Sequence, residues 1–533
     1  MITKIVLKNF KVFQDSTIEL NPGLNVLVGN NEAGKSTLLE AIHLGLTGRI
    51  GRDHISVALT PHHVNRVAAQ EYVNALQEGR AARPPSILIE LYMRQTEETV
   101  SLRGINNSLR EDCPGLRLSV GFDDDYQTEY QEFVRDASGI TGVPIEYYKA
   151  EWTAFSGTAI TARSLKVGVS LIDASKIRLK TGSDYYLQKI IEESLTDVQR
   201  VRLARAYTSL KETFAQSEDI GTLNTSLNAR QSDITDKTLS LSIDISPKAA
   251  WDASLVPHLD DLPFHHAGGG EQSTLKILLA LARRAEGPNI VLIEEPENHL
   301  SFPLLNRLVK RIGDECRHQQ VIVTTHSSYV LNKLGLNQLL LLKNCAAIQM
   351  SDLPEDTQLY FKKLAGYDTL RMVLADSVIL VEGPSDDLIV QRAYLDKHRC
   401  LPIQNGVDVI SIQGLSFERF LDIAMKLGTK TNVVTDNDGS PDAVAEKYKE
   451  YVKKGNIRIC FSRDATVPTL EPQLVECNDL NALNKALRTD FANKASVTEH
   501  IQKKANKTDA ALSIFDAEIK LTMPKYIDDA ISD

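Results

Sequence analysis

An α/β chain in two unequal parts is the fold class predicted here, on three observations. A Gly-rich loop sits between an apolar strand and an apolar helix near the N-terminus. Strands and helices alternate again from about Val373. Between them, residues 153–250 place apolar side chains at helical intervals, with charges of both signs on the remaining positions.

Composition bounds the rest. At roughly 150 residues per domain, 533 residues imply three or four domains, and 42% apolar with 24% charged residues is ordinary globular usage. A disordered chain, a collagen-like fibre and a coiled-coil rod are excluded as the main architecture. With 70 acidic against 60 basic residues the net charge is −10, which excludes a uniformly basic nucleic-acid coat but permits local basic grooves. Six scattered cysteines without a Cys-x-x-Cys pair read as reduced thiols, so a cytoplasmic location is expected. The N-terminus lacks the apolar block of a signal peptide, and no stretch approaches ~18 uninterrupted apolar residues.

Taken in order, ITKIVLKNF (2–10), 16–20 and LNVLV (24–28) read as strands, and STLLEAIHLGL reads as a helix. The intervening Gly29-Asn30-Asn31-Glu32-Ala33-Gly34-Lys35-Ser36, followed by Thr37, fits G-x-x-x-x-G-K-[ST]. Its glycines let backbone N–H groups close around phosphates at a helix N-terminus, with Lys35 for the β- and γ-phosphates and the Ser36 hydroxyl for Mg²⁺. Average residue frequencies give about 0.02 chance matches in a chain this long.

Next, the strand IVLI (290–293) ends in Glu294 and Glu295. Glu294 is the candidate Mg²⁺ ligand, and Glu295 is placed to orient and deprotonate an attacking water. Gly268-Gly269-Gly270-Glu271-Gln272-Ser273 opens another helix, and the strand VIVTT (321–325) ends in His326, a candidate sensor of the γ-phosphate.

These four pieces, in this order, resemble the ATP-binding-cassette ATPases, in the branch of the RecF, Rad50 and SMC heads. The resemblance makes Gly269, Gly270 and Gln272 part of a signature motif and His326 the switch histidine. It implies ATP closed between two heads, hence a homodimer or higher homo-oligomer through the ATPase half. Glu294 departs from the aspartate most such ATPases carry. About one hundred residues at 153–250 are too few for a Rad50 or SMC coiled coil, and a compact dimerisation element is expected there.

In the second part, the strand 378–381 ends in Glu382-Gly383-Pro384-Ser385-Asp386 and a later strand ends in Asp436-Asn437-Asp438-Gly439. A parallel sheet puts both clusters on one edge, where converging carboxylates repel unless a divalent cation neutralises them. All-oxygen donors favour Mg²⁺ or Mn²⁺, and two ions about 4 Å apart suit phosphodiester cleavage. Glu471, after the fourth strand, is a further candidate ligand, and Lys507 a cation for the scissile phosphate.

E-G-x-x-D followed by D-x-D-G resembles the Toprim domain. Glu382 is then the catalytic or metal glutamate, and Asp386, Asp436 and Asp438 are metal ligands. An ATP-binding-cassette ATPase followed by Toprim resembles the OLD (overcoming lysogenization defect) nucleases, some of which serve in Gabija and retron antiphage systems. The resemblance implies an ATP-regulated DNA endonuclease with one Mg²⁺ at ATP and two ions at Toprim, and a companion helicase or reverse transcriptase. A RecF-like clamp without nuclease activity, and cleavage of RNA, stay open as alternatives; no added tyrosine-nucleophile domain or zinc module supports a topoisomerase or primase. The expected division is an ATPase domain at 1–152 and 251–350, the helical insertion at 153–250, a connector at 351–374, Toprim at 375–480 and a C-terminal helical segment at 481–533.

Overall fold

The computed structural model describes the chain apart from residues 52, 136–138, 162–163, 166, 175–194, 230–257, 283–288, 344, 352, 364–368, 504 and 533. In chain order the elements that position the sites begin with β1 (Ile2–Phe10), β2 (Phe13–Glu19), β3 (Leu24–Gly29), α1 (Lys35–Thr47), β4 (Ile87–Met93), β5 (Cys113–Phe122), β6 (Tyr148–Ala154) and β7 (Gly168–Asp173). They continue with α2 (Asp197–Ala215), α3 (Glu218–Ala229), α4 (Gly269–Ala282), β8 (Asn289–Glu294), α5 (Phe302–Glu315), β9 (Gln320–Thr324), α6 (Ser328–Leu334), β10 (Leu339–Lys343) and β11 (Ala346–Gln349).

Among the described residues, two large sheets organise this first part. One is antiparallel, in the order β2-β1-β4-β5, with β6 pairing on β5. The other runs β7-β8-β9-β3-β10-β11 and is parallel except for its last strand. Its central strands are continuous apolar runs: Ile290 to Ile293 and Val321 to Val323 are wholly buried, as strands covered on both faces require. Helix α1 lies between the sheets, and Trp152 on β6 donates its indole N–H to Gly45 O at 3.0 Å.

One boundary differs from the sequence reading. Residues 153–173 fall in the expected helical insertion, yet β6 extends to Ala154 and β7 pairs in parallel with β8. Gly-Val-Ser-Leu-Ile-Asp is a short, β-branched run whose buried Val169 and Ile172 need a sheet neighbour rather than a helix face. The insertion's described helices are α2 and α3; residues 175–194 and 230–250 of the expected insertion lie outside the described residues.

The second part contains α7 (Thr369–Leu374), β12 (Ser377–Val381), α8 (Pro384–His398), β13 (Val407–Ser411), α9 (Phe417–Leu427), β14 (Lys430–Val434), α10 (Pro441–Lys447), β15 (Ile457–Cys460) and α11 (Leu470–Glu476). Toward the C-terminus follow α12 (Lys507–Phe515) and α13 (Lys525–Ala530). The sheet is parallel, in the order β13-β12-β14-β15. One face packs on the C-terminal helices; the other joins an apolar cluster running from Val26 and Val323 through Phe361 and Phe420 to Val378 and Val433. Among the described residues no helix is long and apolar enough to cross a membrane.

Gln320, fully buried, ties the two N-terminal sheets together. Its Oε1 accepts from Ile2 N at 2.8 Å, and its Nε2 donates to Ile2 O at 2.7 Å and Asn21 O at 2.8 Å. Gln320→Ala leaves these backbone groups unpaired in the interior and is expected to destabilise the ATPase half by about 1–3 kcal/mol per orphaned group, read from its denaturant midpoint.

Candidate active sites on two parallel sheets

The first site begins where β3 ends. Gly34 caps α1 with φ +97°, and a Cβ there would lie 2.8 Å from the Phe13 ring; a Cβ on Gly29 would lie 2.7 Å from Leu342 O. The loop thus has room for backbone alone, leaving its N–H groups to face a ligand. Lys35 folds back, donating to Gly29 O at 2.8 Å and Asn30 O at 3.2 Å. Burial lowers its pKa, opposed by Glu295 and Glu294. The Ser36 hydroxyl donates to the Glu294 carboxylate, so the longer glutamate reaches the hydroxyl with which it would share an ion. A backbone cradle, a lysine and paired hydroxyl and carboxylate oxygens fit a nucleoside triphosphate with its Mg²⁺.

Beside them, Glu295 adopts φ +46°, its Oε2 accepts from Asn298 Nδ2 at 2.7 Å, and its Oε1 lies 3.6 Å from His326 Nε2. Glu297 organises this edge and was not singled out from sequence. Its Oε1 accepts from Thr325 Oγ1 and from His326 N, each at 2.8 Å, while burial raises its pKa. The signal was present as the third acid of Glu-Glu-Pro-Glu.

Gln272 is a correction. Rather than facing a nucleotide, its side chain is buried and donates to Ala267 O at 2.8 Å, so it braces the loop from within. Gly269 and Gly270 stay half-exposed at the start of α4.

The second site occupies the C-terminal edge of the β13-β12-β14-β15 sheet. Glu382 follows β12, and its Oε1 accepts from Thr435 Oγ1 at 2.7 Å and Asp436 N at 2.9 Å. Asp386 Oδ2 accepts from Gly383 N at 3.0 Å, closing the first turn of α8. Asn437, named in the sequence only as part of this cluster, is its anchor. Fully buried, it donates to Ser462 O and Asp464 O at 3.0 and 2.8 Å and accepts from Gly439 N at 2.8 Å. It fixes the loop that carries Asp436, half-buried, and Asp438, exposed with φ +48°. From α12, Lys507 Nζ reaches Glu471 Oε1 at 2.5 Å.

The charges press on one another. Burial pushes Asp436 up to about 8, with Glu382, Asp386 and Glu471 adding to the shift and Lys507 opposing it. Asp386 is pushed up to about 6, again mainly by burial. Burial works against the Lys507 charge, but Glu471, Asp386 and Asp436 win and raise its pKa. Tyr526 on α13 is buried against the same carboxylates, its pKa raised by burial and then by Asp436 and Asp386. No local motif marks it, because it lies ninety residues from Asp436 in the chain.

Among the described residues, no three His, Cys, Asp or Glu side chains are gathered closely enough to clasp one ion. Mg²⁺ does not require such a cage, since it keeps several waters and binds through one or two carboxylates plus substrate phosphate. An all-oxygen edge at which burial, then neighbouring carboxylates, raise the pKa of Asp436 fits a hydrated divalent cation.

Fold and sites together define an ABC-type ATPase joined in one chain to a Toprim domain. The chain belongs to the family described as "AAA domain, putative AbiEii toxin, Type IV TA system", whose model matches residues 24–332, and residues 373–438 match the "Overcoming lysogenization defect protein-like, TOPRIM domain".

Curated relatives align over short segments. The DNA replication and repair protein RecF of Haemophilus ducreyi is 33% identical over 76 residues, 14% of this chain and 21% of that protein. RecF of Limosilactobacillus reuteri is 46% identical over 57 residues, 10% of this chain and 15% of that protein. The DNA double-strand break repair Rad50 ATPase of Sulfolobus acidocaldarius is 42% identical over 53 residues, 10% of this chain and 6% of that protein. The chain therefore spans about a fifth or less of these relatives' length. Among solved structures, an SMC head bound to the C-winged helix domain of ScpA aligns at 15% identity and TM-score 0.32, over 66% of this chain and 98% of that one. RecF in its ATP-analogue complex aligns at 12% identity and TM-score 0.35, over 66% and 98%.

The raised Asp436 pKa has a definite sign. Between about pH 4 and 8 the folded carboxyl keeps a proton that the unfolded chain releases, so folding stability is lost as pH rises through that window. Metal-free protein is expected to melt at progressively lower temperature from pH 5 to 8. Asp436→Asn should flatten the slope, and Mg²⁺ at pH 8 should restore the wild-type melting temperature; thermal scans across pH check this.

Proposed function

We propose that this chain is an ATP-regulated, divalent-metal-dependent DNA endonuclease whose cutting site is the Toprim edge. The observation that carries the reading is the convergence of Glu382, Asp386, Asp436, Asp438 and Glu471, with Lys507, on one end of a parallel sheet. Glu382, Asp436 and Asp438 would hold the divalent ions, with Asp386 and Glu471 behind them. Such ions polarise the phosphate and lower the pKa of bound water.

The protein's own groups do the rest. Thr435 Oγ1 and Asp436 N orient Glu382, Asn437 holds the aspartate loop, and Lys507 supplies a cation for charge on the scissile phosphate. In the ATPase half, Lys35 binds phosphate, Ser36 and Glu294 hold the nucleotide's ion, and Glu295, with His326 beside it, orients the attacking water. Assembly into a homo-oligomer through the ATPase half, and service as an antiphage effector with a companion protein, belong to the same reading. The family descriptions, an AbiEii-type toxin domain and an OLD-like Toprim domain, support it.

Supercoiled plasmid incubated with the purified protein and Mg²⁺ or Mn²⁺ is expected to be nicked or linearised, and the Asp436→Ala, Asp438→Ala double variant should lose at least about a hundredfold in rate. Cutting that survives this variant would place the chemistry elsewhere; binding without cutting, with and without ATP, would overturn the nuclease reading. Separately, Glu295→Gln should retain nucleotide affinity while ATP turnover falls about a hundredfold or more, as expected when a water-orienting group is removed. Equilibrium binding beside phosphate release distinguishes that outcome from a loss of binding.

A further inference from the structure

Next to the Toprim carboxylates is a cavity of about 320 Å³. One wall is Glu382, Asp436 and Asp438. A second part of the lining is apolar: Leu415 and Val444 present half-exposed side chains, while Phe417 and Tyr448, each 4% exposed, close the cavity from the core. Lys447 and Ser440 stand on the exposed rim. Hydrated cations and phosphate use the first wall and have no use for the second. Apolar surface left facing a polar cleft calls for a ligand with both characters: a flat ring joined to a phosphate. The volume lies at the small end of ligand pockets, enough for one base and too little for a base pair.

The apolar wall is also tied to the carboxylates. Gln413 at φ +53° and Gly414 at φ +75° make a tight left-handed turn that brings Leu415 over the cavity. Gly414 N donates to Glu382 O at 2.9 Å, and Ile412 N to Val381 O at 2.9 Å, so this turn hangs from the strand end that carries Glu382. Lys447 Nζ lies 5.0 Å from the centre of the Tyr448 ring, placing a cation beside the aromatic part of the wall.

We propose that this cavity seats one unstacked nucleobase of the strand being cut, next to the phosphate that faces Asp436, with Lys447 on the neighbouring phosphate. The inference rests on the nuclease reading and deepens it. The preferred substrate is then a strand whose base leaves the stack readily, such as a single strand, an end or a mismatch, over an intact duplex.

The test reads binding rather than cutting. Single-stranded oligonucleotides carrying 2-aminopurine at successive positions are titrated with the full-length protein in EDTA. Fluorescence should change sharply at one position only. Val444→Trp, which fills the cavity, and Ser440→Trp, which closes its mouth from the exposed rim, should abolish that change. They should also weaken single-strand binding about tenfold while duplex binding shifts less than about twofold. A response uniform along the strand, or one that both variants keep, overturns the proposal. A position-specific response in a protein that cuts nothing would uphold the base seat and overturn the nuclease reading alone; cutting without any such response would do the reverse.

Discussion

The structure turns on the repulsion among carboxylates gathered at the end of a parallel sheet. Strand polarity brings Glu382 after β12 and Asp436 after β14 to the same edge, and neighbouring loops add Asp386, Asp438 and Glu471. Left alone, such a group would ionise reluctantly and push its loops apart. Three of the five acids are instead held by something neutral or positive: Thr435 Oγ1 and a backbone N–H on Glu382, the Gly383 N–H on Asp386, and Lys507 on Glu471. Burial, with the charges of Glu382, Asp386 and Glu471 added to it, pushes Asp436 up to about 8.

This dependence explains the C-terminal helices, which contain no nuclease motif. α12 delivers Lys507 and α13 delivers Tyr526, and both pack against the Toprim sheet through one apolar cluster. Arg392 on α8 fixes the connection between them, donating to the carbonyls of Phe515 at 2.7 Å and Ile519 at 3.1 Å. His398 Nε2 lies 2.8 Å from Ile531 O and Asn432 Nδ2 donates to Ala530 O at 2.7 Å, pinning the far end. The segment is part of the site because it carries the positive charge the acids lack.

Legibility in the sequence followed the range of the interactions. The phosphate loop, Glu294-Glu295, Glu382 to Asp386 and Asp436 to Asp438 could be read because each is a contiguous strand-to-loop junction whose chemistry is local. Lys507 was read from its place at a helix start in the C-terminal segment, whereas Tyr526 and the roles of Glu297 and Asn437 were not legible. A tyrosine made important by carboxylates ninety residues away leaves no periodic trace. The misplaced start of the insertion has a similar cause. β7 is six residues long, and only its pairing with β8, more than a hundred residues later, makes it a strand. Gln272 fails for the opposite reason: its position in a Gly-rich helix start is legible, but the inward direction of its side chain is set by tertiary packing.

The two sites are joined by packed structure. His326 is followed by Ser327, whose Oγ caps α6 by accepting from Val330 N at 3.3 Å. On α6, the fully buried Asn332 accepts from Thr369 Oγ1 at 2.5 Å, at the start of α7. Arg371 on α7 donates to Asp408 at 3.0 Å and to Val409 O at 3.0 Å, gripping β13, and the chain then runs through β12 directly into Glu382. A single apolar cluster encloses both ends of this route, and a close-packed interior passes displacement on rather than absorbing it. A displacement at His326 would therefore reach α6 first, through buried side chains that have no slack to yield. One physical link between the two parts is thus the short helix after His326, and the element it bears on is the strand that ends in Glu382.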